Sequence, residues 1–534
     1  MANKAALGLD FGTESVRAIL VDLQGNEVGV ATANYKHGQI TESLPTTGEK
    51  LPHNFALQHP QDWIDQTAEA VKKAVSIAGI NPADIVGIGV DFTSCTMLPT
   101  KADGTPLCLI NDYASNIFAW PKLWKHHGAI TQTERINRVA IERNEPWLSR
   151  YGNIVGLEWF FPKVLETLEC DSDIYNAADV WIEAGDWFVW QLVGASSSFN
   201  KKHIPRSTCQ AGYKALWNSH SGYPSTDFFK ALDPRMANIV TDKMPGKLKP
   251  PGEKVGELSE RMAKTLGLVP GIPVSSAIID AHAGVPGVGA ADPGILVMVM
   301  GTSSCHMLNS TNEVDIPGIA GVVEGGILPG YFGYETGQAA VGDAFAWLRS
   351  TLNTDFDKLT LLAEQAGIGS DGVLCMDWFN GCRTPLMDGS LTGAFKGLAL
   401  HHNPGHIFRS LLESSAFGFN WILDCLTSRD IAINRLIATG GLPHHNPLLM
   451  QIYADVSGKS IEVHPSTQGP AVGAAMLGAN AAPSSVTGFK NMQETITAMS
   501  AQQPPLTRIN PIPDNHKQYQ PIYKDYRAFA NSLR

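Results

Sequence analysis

The stretch AALGLDFGTESVRAILV, residues 5–21, decides the fold. An apolar strand pattern leads into the turn Asp10-Phe11-Gly12-Thr13-Glu14-Ser15, and the β pattern then resumes. The same arrangement returns about 290 residues later as GILVMVMGTSSCHML, residues 294–308, with Gly301-Thr302-Ser303-Ser304 in the turn. A repeat at this distance predicts two related domains that each open with a β-hairpin.

The residues between the two hairpins alternate between strand and helix patterns. Apolar positions over about 61–78 recur at helical spacing, and two apolar strands, 85–90 and 274–279, stop at Asp91 and Asp280. This alternation predicts an α/β fold with a parallel or mixed sheet. The region of about 100–260 is rich in Trp, Pro and Gly, so we expect it to be insertions that decorate the sheet. Pro and Gly near 285–293 place the boundary between domains 1–285 and 286–534.

The later half has three further elements with clear signals. A helix is predicted over 404–427, and a strand over 435–438 runs into Thr439-Gly440-Gly441. A second helix over 447–457 has Asn446 as its predicted N-cap. The Pro- and Gln-rich tail after about 500 is expected to lie on the surface.

Composition excludes several classes of protein. The 534 residues include 40 Lys and Arg against 51 Asp and Glu, a net charge of −11, and no basic cluster suited to a nucleic-acid backbone. The eight cysteines have no CxxC or zinc-finger spacing, which favours a reducing compartment. No signal peptide or stretch of about 18 apolar residues is present, so we expect a soluble cytoplasmic protein without a membrane partner.

The two hairpin turns suit a nucleotide phosphate site. Glycine lets backbone N–H groups approach phosphate oxygens, and the hydroxyls of Thr13, Ser15, Thr302 and Ser303 add donors. Asp10 stands where the first strand enters its turn, and its carboxylate can hold Mg²⁺ through water. No GxxxxGK[ST] segment occurs, which excludes a P-loop.

Other candidate residues allow two interpretations, one functional and one structural. Asp280 ends a strand at the sheet edge, where it is either a proton acceptor for an attacking hydroxyl or the N-cap of the next helix, and Asp91 carries the same ambiguity. Gly440-Gly441 is either a plain tight turn or a bare surface for a flat base. Lys214 could hold a hydroxyl or a phosphate and Glu335 a sugar hydroxyl, but from residue type alone both are expected to be surface residues.

Several segments in this order resemble a known family. They are similar to segments of the FGGY carbohydrate kinases and comprise Asp10-Phe11-Gly12-Thr13, Asp91-Phe92-Thr93, Asp280-Ala281, Gly301-Thr302-Ser303, Ala438-Thr439-Gly440-Gly441 and the stretch 393–413. Within the family, the likeness is greatest to the members that phosphorylate L-ribulose. It rests on residues 89–96, 158–163, 185–187, 301–306 and 378–385, and the resemblance covers roughly residues 4–485.

This resemblance implies an actin-like (ribonuclease H-like) fold of two domains that close over a cleft. It implies that Asp280 is the catalytic base and that the sugar is held by Ser94, Cys95, Lys214, Asp280 and Glu335. The ATP phosphates would lie against Gly12, Thr13, Glu14 and Ser15 and against Gly301, Thr302 and Ser303, with adenosine near Gly440, Gly441 and Asn446. Ser94 departs from the alanine common in the L-ribulose-phosphorylating members and adds a hydroxyl to the sugar site.

The expected activity is transfer of a phosphoryl group from ATP, with Mg²⁺, to L-ribulose in L-arabinose catabolism, by a chain that forms a possible homodimer. A kinase of the same fold with another ketopentose or polyol, such as xylulose, D-ribulose or a pentitol, is the alternative. A third hypothesis, an actin-like ATPase used as a binding switch or chaperone, requires a peptide-binding or filament-forming segment. The sequence shows no such segment.

Overall fold

A computed structural model describes residues 4–196 and 198–534. Its strands are β1 (Ala5–Phe11), β2 (Ser15–Asp22), β3 (Glu27–Asn34), β4 (Ile85–Phe92), β5 (Met97–Thr100), β6 (Val180–Glu183), β7 (Pro205–Ser207), β8 (Lys247–Lys249), β9 (Lys254–Glu257), β10 (Pro273–Ser275), β11 (Ile278–Ile279), β12 (Ile295–Met300), β13 (Ser304–Ser310), β14 (Gly321–Glu324), β15 (Phe332–Gln338), β16 (Leu374–Met376), β17 (Ala394–Lys396), β18 (Arg435–Thr439), β19 (Ile461–Val463) and β20 (Thr507–Ile509).

Helices cover the faces of the sheets and build the insertions. They are α1 (Pro60–Ala78), α2 (Ile130–Glu142), α3 (Phe160–Cys170), α4 (Ser172–Ala177), α5 (Ala184–Val193), α6 (Thr208–Lys214), α7 (Thr226–Leu232), α8 (Ile239–Lys243), α9 (Glu260–Leu266), α10 (Asp280–Gly287), α11 (Gly342–Thr351), α12 (Phe356–Ala366), α13 (Pro404–Thr427), α14 (Gly441–His445), α15 (Pro447–Ser457), α16 (Gly469–Ala481), α17 (Ser484–Thr487), α18 (Met492–Ser500) and α19 (Pro513–Ser532). None of the helices in the described ranges is long and apolar enough to cross a bilayer.

Two mixed sheets form the centre of the molecule. The first has the order β3-β2-β1-β4-β10-β9, with β11 also paired to β4, and the second has the order β14-β15-β13-β12-β18-β19-β20. In each sheet an antiparallel hairpin, β1–β2 or β12–β13, is joined by a parallel strand, β4 or β18. The predicted α/β fold is therefore confirmed, and the two hairpins occupy equivalent places in their sheets.

Helix α16 lies against the first sheet although it follows the second sheet in the chain. It packs on β1, β4 and α10, and small residues allow this close approach. A Cβ atom on Gly89 would lie 1.8 Å from the carbonyl oxygen of Ala474, and one on Gly473 would lie 1.8 Å from that of Ala283. The two halves of the molecule are thus joined through backbone-to-backbone contact between α10 and α16.

The insertions between β4 and β9 build a separate hydrophobic core together with residues 40–57. This core contains buried aromatic residues that include Trp120, Trp147, Trp159 and Phe161. It includes Cys95, which closely follows β4 of the first sheet. The insertions are therefore a structured layer that can support a binding site.

Two sequence predictions differ from the structure. The strand expected over 274–279 is broken into β10 and β11, which both pair with β4, and residues 276–277 between them lie outside the strands. The tail expected on the surface ends in α19, whose Tyr519 and Tyr526 are fully buried in the core of the second half. The helices predicted over 61–78, 404–427 and 447–457 are confirmed as α1, α13 and α15.

Candidate active site

A cleft with a cavity volume of about 350 Å³ lies between the two sheets. Both hairpin turns contribute to its lining, through Thr13 on one side and Gly301, Thr302 and Ser303 on the other. The first turn closes through the N–H of Gly12, which donates to Ser15 O at 3.0 Å. The second closes through the N–H of Gly301, which donates to Ser303 O at 2.9 Å. The sequence thus brings two hydroxyl-bearing turns to one cavity, as a polyphosphate site requires.

The remaining predicted residues of the first turn lie outside the cavity lining. Ser15 begins β2 and pairs with Asn34, and the Glu14 carboxylate accepts a hydrogen bond from Gln39. The turn itself is held by Trp124, whose indole N–H donates to Thr13 Oγ1 at 3.1 Å. Trp124 also lines the cavity, and the predictions from sequence did not include it.

Asp280 lines the same cavity as the first residue of α10. Its Oδ1 accepts a hydrogen bond of 2.6 Å from the N–H of Ala281, so the carboxylate is fixed at the start of the helix. Burial raises the pKa of Asp280 to about 7, although the hydrogen bond from the N–H of Ala281 acts to lower it. The charges of Asp10 and Glu335 add to the rise. A carboxylate with a pKa near neutrality suits exchange of a proton with a substrate hydroxyl.

Lys214 and Glu335 form a buried ion pair in this cavity. Lys214 Nζ lies 2.9 Å from both carboxylate oxygens of Glu335, and the two side chains are only 6% and 5% exposed. Burial opposes the charge on both groups, yet the partner charge raises the pKa of Lys214 and lowers the pKa of Glu335 overall. The expectation from residue type that both are surface residues is therefore wrong.

His282 lies beside this ion pair in the cavity. Its Nε2 lies 3.5 Å from Glu335 Oε2, and its ring packs on Tyr213 at 4.3 Å between centroids. Burial lowers the pKa of His282 to about 4, so the imidazole is neutral at physiological pH. His282 lines the cavity and was not among the predicted site residues.

Ser94 and Cys95 line the same cavity as Lys214. Cys95 has a φ of 60°, a left-handed conformation that is uncommon for a residue with a side chain. The buried Lys163 holds this conformation, because its Nζ donates to Cys95 O at 2.9 Å and to Leu123 O at 2.8 Å. The Ser94 hydroxyl lies 3.4 Å from Cys95 Sγ.

Asp10 and Asp91 stand side by side on the paired strands β1 and β4. Asp10 lines the cavity and accepts a hydrogen bond of 2.6 Å from Arg17. No donor among the described residues reaches either buried oxygen of Asp91. Burial, together with the charges of Asp10 and Asp280, raises the pKa of Asp91 well above its usual range. Neighbouring carboxylates, one of which has no hydrogen-bond donor, suit a hard divalent cation such as Mg²⁺.

The residues expected around adenosine lie outside the lining of this cavity. Gly440 has a φ of 97°, and a Cβ atom there would lie 2.4 Å from Met300 O, so only glycine fits beside the end of β12. Gly441 begins α14. The side chain of Asn446 accepts from Leu449 N at 3.0 Å and caps α15, as predicted. A nucleotide role for these three residues stays a prediction.

Two more charged residues of the cavity were not predicted as site residues. Glu158 and Arg383 both line it. The signal for them was present, because both belong to the segments, 158–163 and 378–385, that carry the family resemblance. Residue type alone does not distinguish them from surface charges.

Comparison with known proteins assigns both halves of the chain. The model of the FGGY family of carbohydrate kinases matches at residues 5–287 for its N-terminal domain and 296–482 for its C-terminal domain. A ribulokinase of Anoxybacillus flavithermus is 43% identical over 98% of this chain and 94% of its own length. A ribulokinase of Halalkalibacterium halodurans is 44% identical over 98% and 94%.

Solved structures of sugar kinases share the fold. A xylulose kinase from Rhodospirillum rubrum superposes with a TM-score of 0.80 and 23% identity over 99% of both chains. Plasmodium falciparum glycerol kinase with ADP gives a TM-score of 0.78 and 17% identity over 100% of this chain and 99% of that one. These structures share their two-domain fold with this chain, in agreement with the actin-like fold expected from the sequence.

Proposed function

The chain belongs to the FGGY family of carbohydrate kinases, and from this membership we propose that it phosphorylates L-ribulose with ATP to give L-ribulose 5-phosphate. Ribulokinases that are 41–44% identical over nearly the full chain support the choice of sugar. The observation that carries the proposal is the single cavity that joins Asp280 and the Lys214–Glu335 pair to two hydroxyl-bearing turns.

In the proposed reaction, Asp280 accepts the proton of the sugar's 5-hydroxyl as that oxygen attacks the γ-phosphorus of ATP. The new O–P bond forms while the bond to the β–γ bridging oxygen breaks, and ADP leaves. Lys214, Glu335 and the backbone at Ser94 and Cys95 orient the sugar. Domain closure excludes water, which keeps the phosphoryl group from hydrolysis.

Mg²⁺ is part of this proposal. Asp10 would hold it through water, and the unpaired oxygens of Asp91 beside Asp10 support a cation at this edge. When bound, the cation neutralises negative charge on the phosphates. We likewise propose a domain division near residue 286, a cytoplasmic location and a homodimer. We also propose that adenosine contacts Gly440, Gly441 and Asn446.

A panel of sugars tests the function. Purified protein with Mg-ATP is assayed for ADP release with L-ribulose, D-ribulose, L- and D-xylulose, ribitol and glycerol. We expect L-ribulose to be among the best substrates by kcat/KM. A higher kcat/KM for another sugar would assign the chain to a different substrate, and ADP release independent of every sugar would favour an ATPase.

The Asp280→Asn variant tests the chemistry in the same assay. We expect kcat to fall by roughly a hundredfold or more, because the amide cannot accept the proton. Sugar binding, measured by calorimetry, should be largely kept. Near-normal turnover in this variant would remove Asp280 from the role of base.

A further inference from the structure

Arg383 places unmatched hydrogen-bond donors in the sugar cavity. Its guanidinium lines the cavity with Lys214, Glu335 and Glu158. The hydrogen bond it makes within the described residues runs from Nη1 to the thiol of Cys305 at 3.4 Å, and it forms no ion pair with any described carboxylate. A charged group with up to five donors and so weak a protein partner is suited to ligand oxygens.

The surroundings of Arg383 place it on the sugar side of the cavity. Arg383 lies against two strands of the second sheet, because its Nη1 is 3.4 Å from Cys305 Sγ on β13 and the N–H of the next residue, Thr384, donates to Gly337 O on β15 at 3.1 Å. Gly337 is two residues from Glu335 on β15, so Arg383 and Glu335 reach the cavity from neighbouring positions. Asp10 of β1 and Thr13 of its turn line the same cavity from the first sheet.

The chemistry of Arg383 matches the carbonyl end of a ketose. Arginine only donates hydrogen bonds, and a carbonyl oxygen only accepts them. The ammonium of Lys214 is also a donor, but it is already held by both oxygens of Glu335. The guanidinium presents parallel N–H groups that fit two neighbouring oxygens, such as the C1 hydroxyl and the C2 carbonyl.

We propose that Arg383 is a specificity-determining residue that binds the C1 and C2 oxygens of the ketose while Asp280 acts on the opposite end. The inference rests on the proposed function. It explains how the cavity can favour a ketose, whose C2 carbonyl oxygen only accepts hydrogen bonds, over a pentitol, whose C2 hydroxyl also carries a proton to donate. It assigns Arg383 to the acceptor sugar and not to the phosphates.

Pairing a sugar change with a residue change tests this assignment. kcat/KM is measured for L-ribulose and 1-deoxy-L-ribulose with the wild-type protein and with Arg383→Gln. Loss of the C1 hydroxyl should cost the wild-type protein on the order of 10- to 100-fold, the size of one hydrogen bond to a charged group. In Arg383→Gln the same loss should cost less than about threefold, because the partner is gone.

The controls separate this contact from damage to the fold. Arg150→Gln removes an arginine that pairs with Glu313 outside the cavity, and it should keep the wild-type response to 1-deoxy-L-ribulose. Arg383→Lys keeps the charge without the parallel donors and should respond between the two extremes. It also serves if Arg383→Gln does not fold, as judged by thermal unfolding and ADP binding.

The outcomes distinguish this inference from the proposed function. If the wild-type protein does not phosphorylate L-ribulose, the proposed function fails. If it does, but Arg383→Gln and the wild-type protein lose equal activity on removal of the C1 hydroxyl, the inference is overturned. An equal fall in kcat with both sugars in Arg383→Gln would assign the guanidinium to the phosphoryl group.

Discussion

At the scale of single residues, the proposed role of Asp280 as the base predicts how the reaction depends on pH. Burial, with added repulsion from Asp10 and Glu335, raises its pKa to about 7. Only the ionised form accepts a proton. We therefore expect kcat/KM for L-ribulose to rise about tenfold per pH unit below pH 7 and to level off above it.

A pH profile of kcat/KM from 5.5 to 8.5 at saturating Mg-ATP checks this expectation. Asp280→Asn serves as the control, and its residual activity should lack the acidic limb. A flat wild-type profile, or an acidic limb that persists in the variant, would assign the titrating group elsewhere.

The same ionisation has an effect on stability with a defined sign. The pKa of Asp280 rises from 3.8 to about 7 on folding, so the folded state binds the proton more tightly. Its contribution to the free energy of unfolding is complete below pH 3.8 and is lost as the pH rises through 7. The Tm of Asp280→Asn relative to the wild-type protein should thus be higher at pH 8 than at pH 5.

Residue type gave an incomplete picture of the site. Lys214 and Glu335 are separated by 121 positions, and their ion pair depends on a fold that brings α6 against β15. No local pattern records such a pair, so only the family resemblance directed attention to them. Asp280 was different, because a carboxylate at the end of an apolar strand is a local signal.

At the scale of elements, the contact between α10 and α16 depends on glycine. Replacing Gly473 with Val would force a side chain into the space held by the carbonyl of Ala283, 1.8 Å from the new Cβ. We expect a loss of about 3 kcal/mol or more in the free energy of unfolding, since the two helices must separate. Thermal and urea unfolding measure it.

Gly389→Val is the matched control for this substitution. A Cβ on Gly389 meets no atom within 4 Å, so its Tm should stay close to that of the wild-type protein. Equal stability of the two variants would show that α10 and α16 do not pack as tightly as described.

Elements with a strong local period were predictable, and those shaped by distant contacts were not. Helix α13 has buried residues at helical spacing, and its Asn403 accepts from Gly405 N to start it. The break between β10 and β11 lies next to a register shift in the pairing of β10 with β9, which no pattern in 274–279 reveals. For α19 a signal existed in the seven-residue spacing of Tyr519 and Tyr526, but the proline and glutamine content obscured it.

At the scale of the whole molecule, the last helix is tied to the strand that carries Glu335. The Tyr526 hydroxyl donates to Asp377 Oδ1 at 2.6 Å, and Gln338 of β15 donates to Asp377 Oδ2 at 2.9 Å. Tyr526→Phe leaves one buried carboxylate oxygen without its donor. We expect this to lower the free energy of unfolding by about 1–3 kcal/mol.

Tyr523→Phe provides a close comparison on the same helix. Its hydroxyl also donates to a carboxylate at 2.6 Å, that of Asp424, but this hydrogen bond is exposed to water. Its loss should change the stability by about 0.5 kcal/mol or less. Equal effects of the two variants in urea unfolding would contradict a structural role for the buried Tyr526–Asp377 contact.

The position of α16 on the first sheet has a consequence for biosynthesis. A ribosome completes β1 and β4 long before it makes α16, residues 469–481. The face of the sheet that α16 covers is therefore exposed through most of translation. Until α16 is made, the nascent chain exposes an apolar surface of the kind that molecular chaperones bind. The amino-terminal half, produced alone, would keep that surface and self-associate.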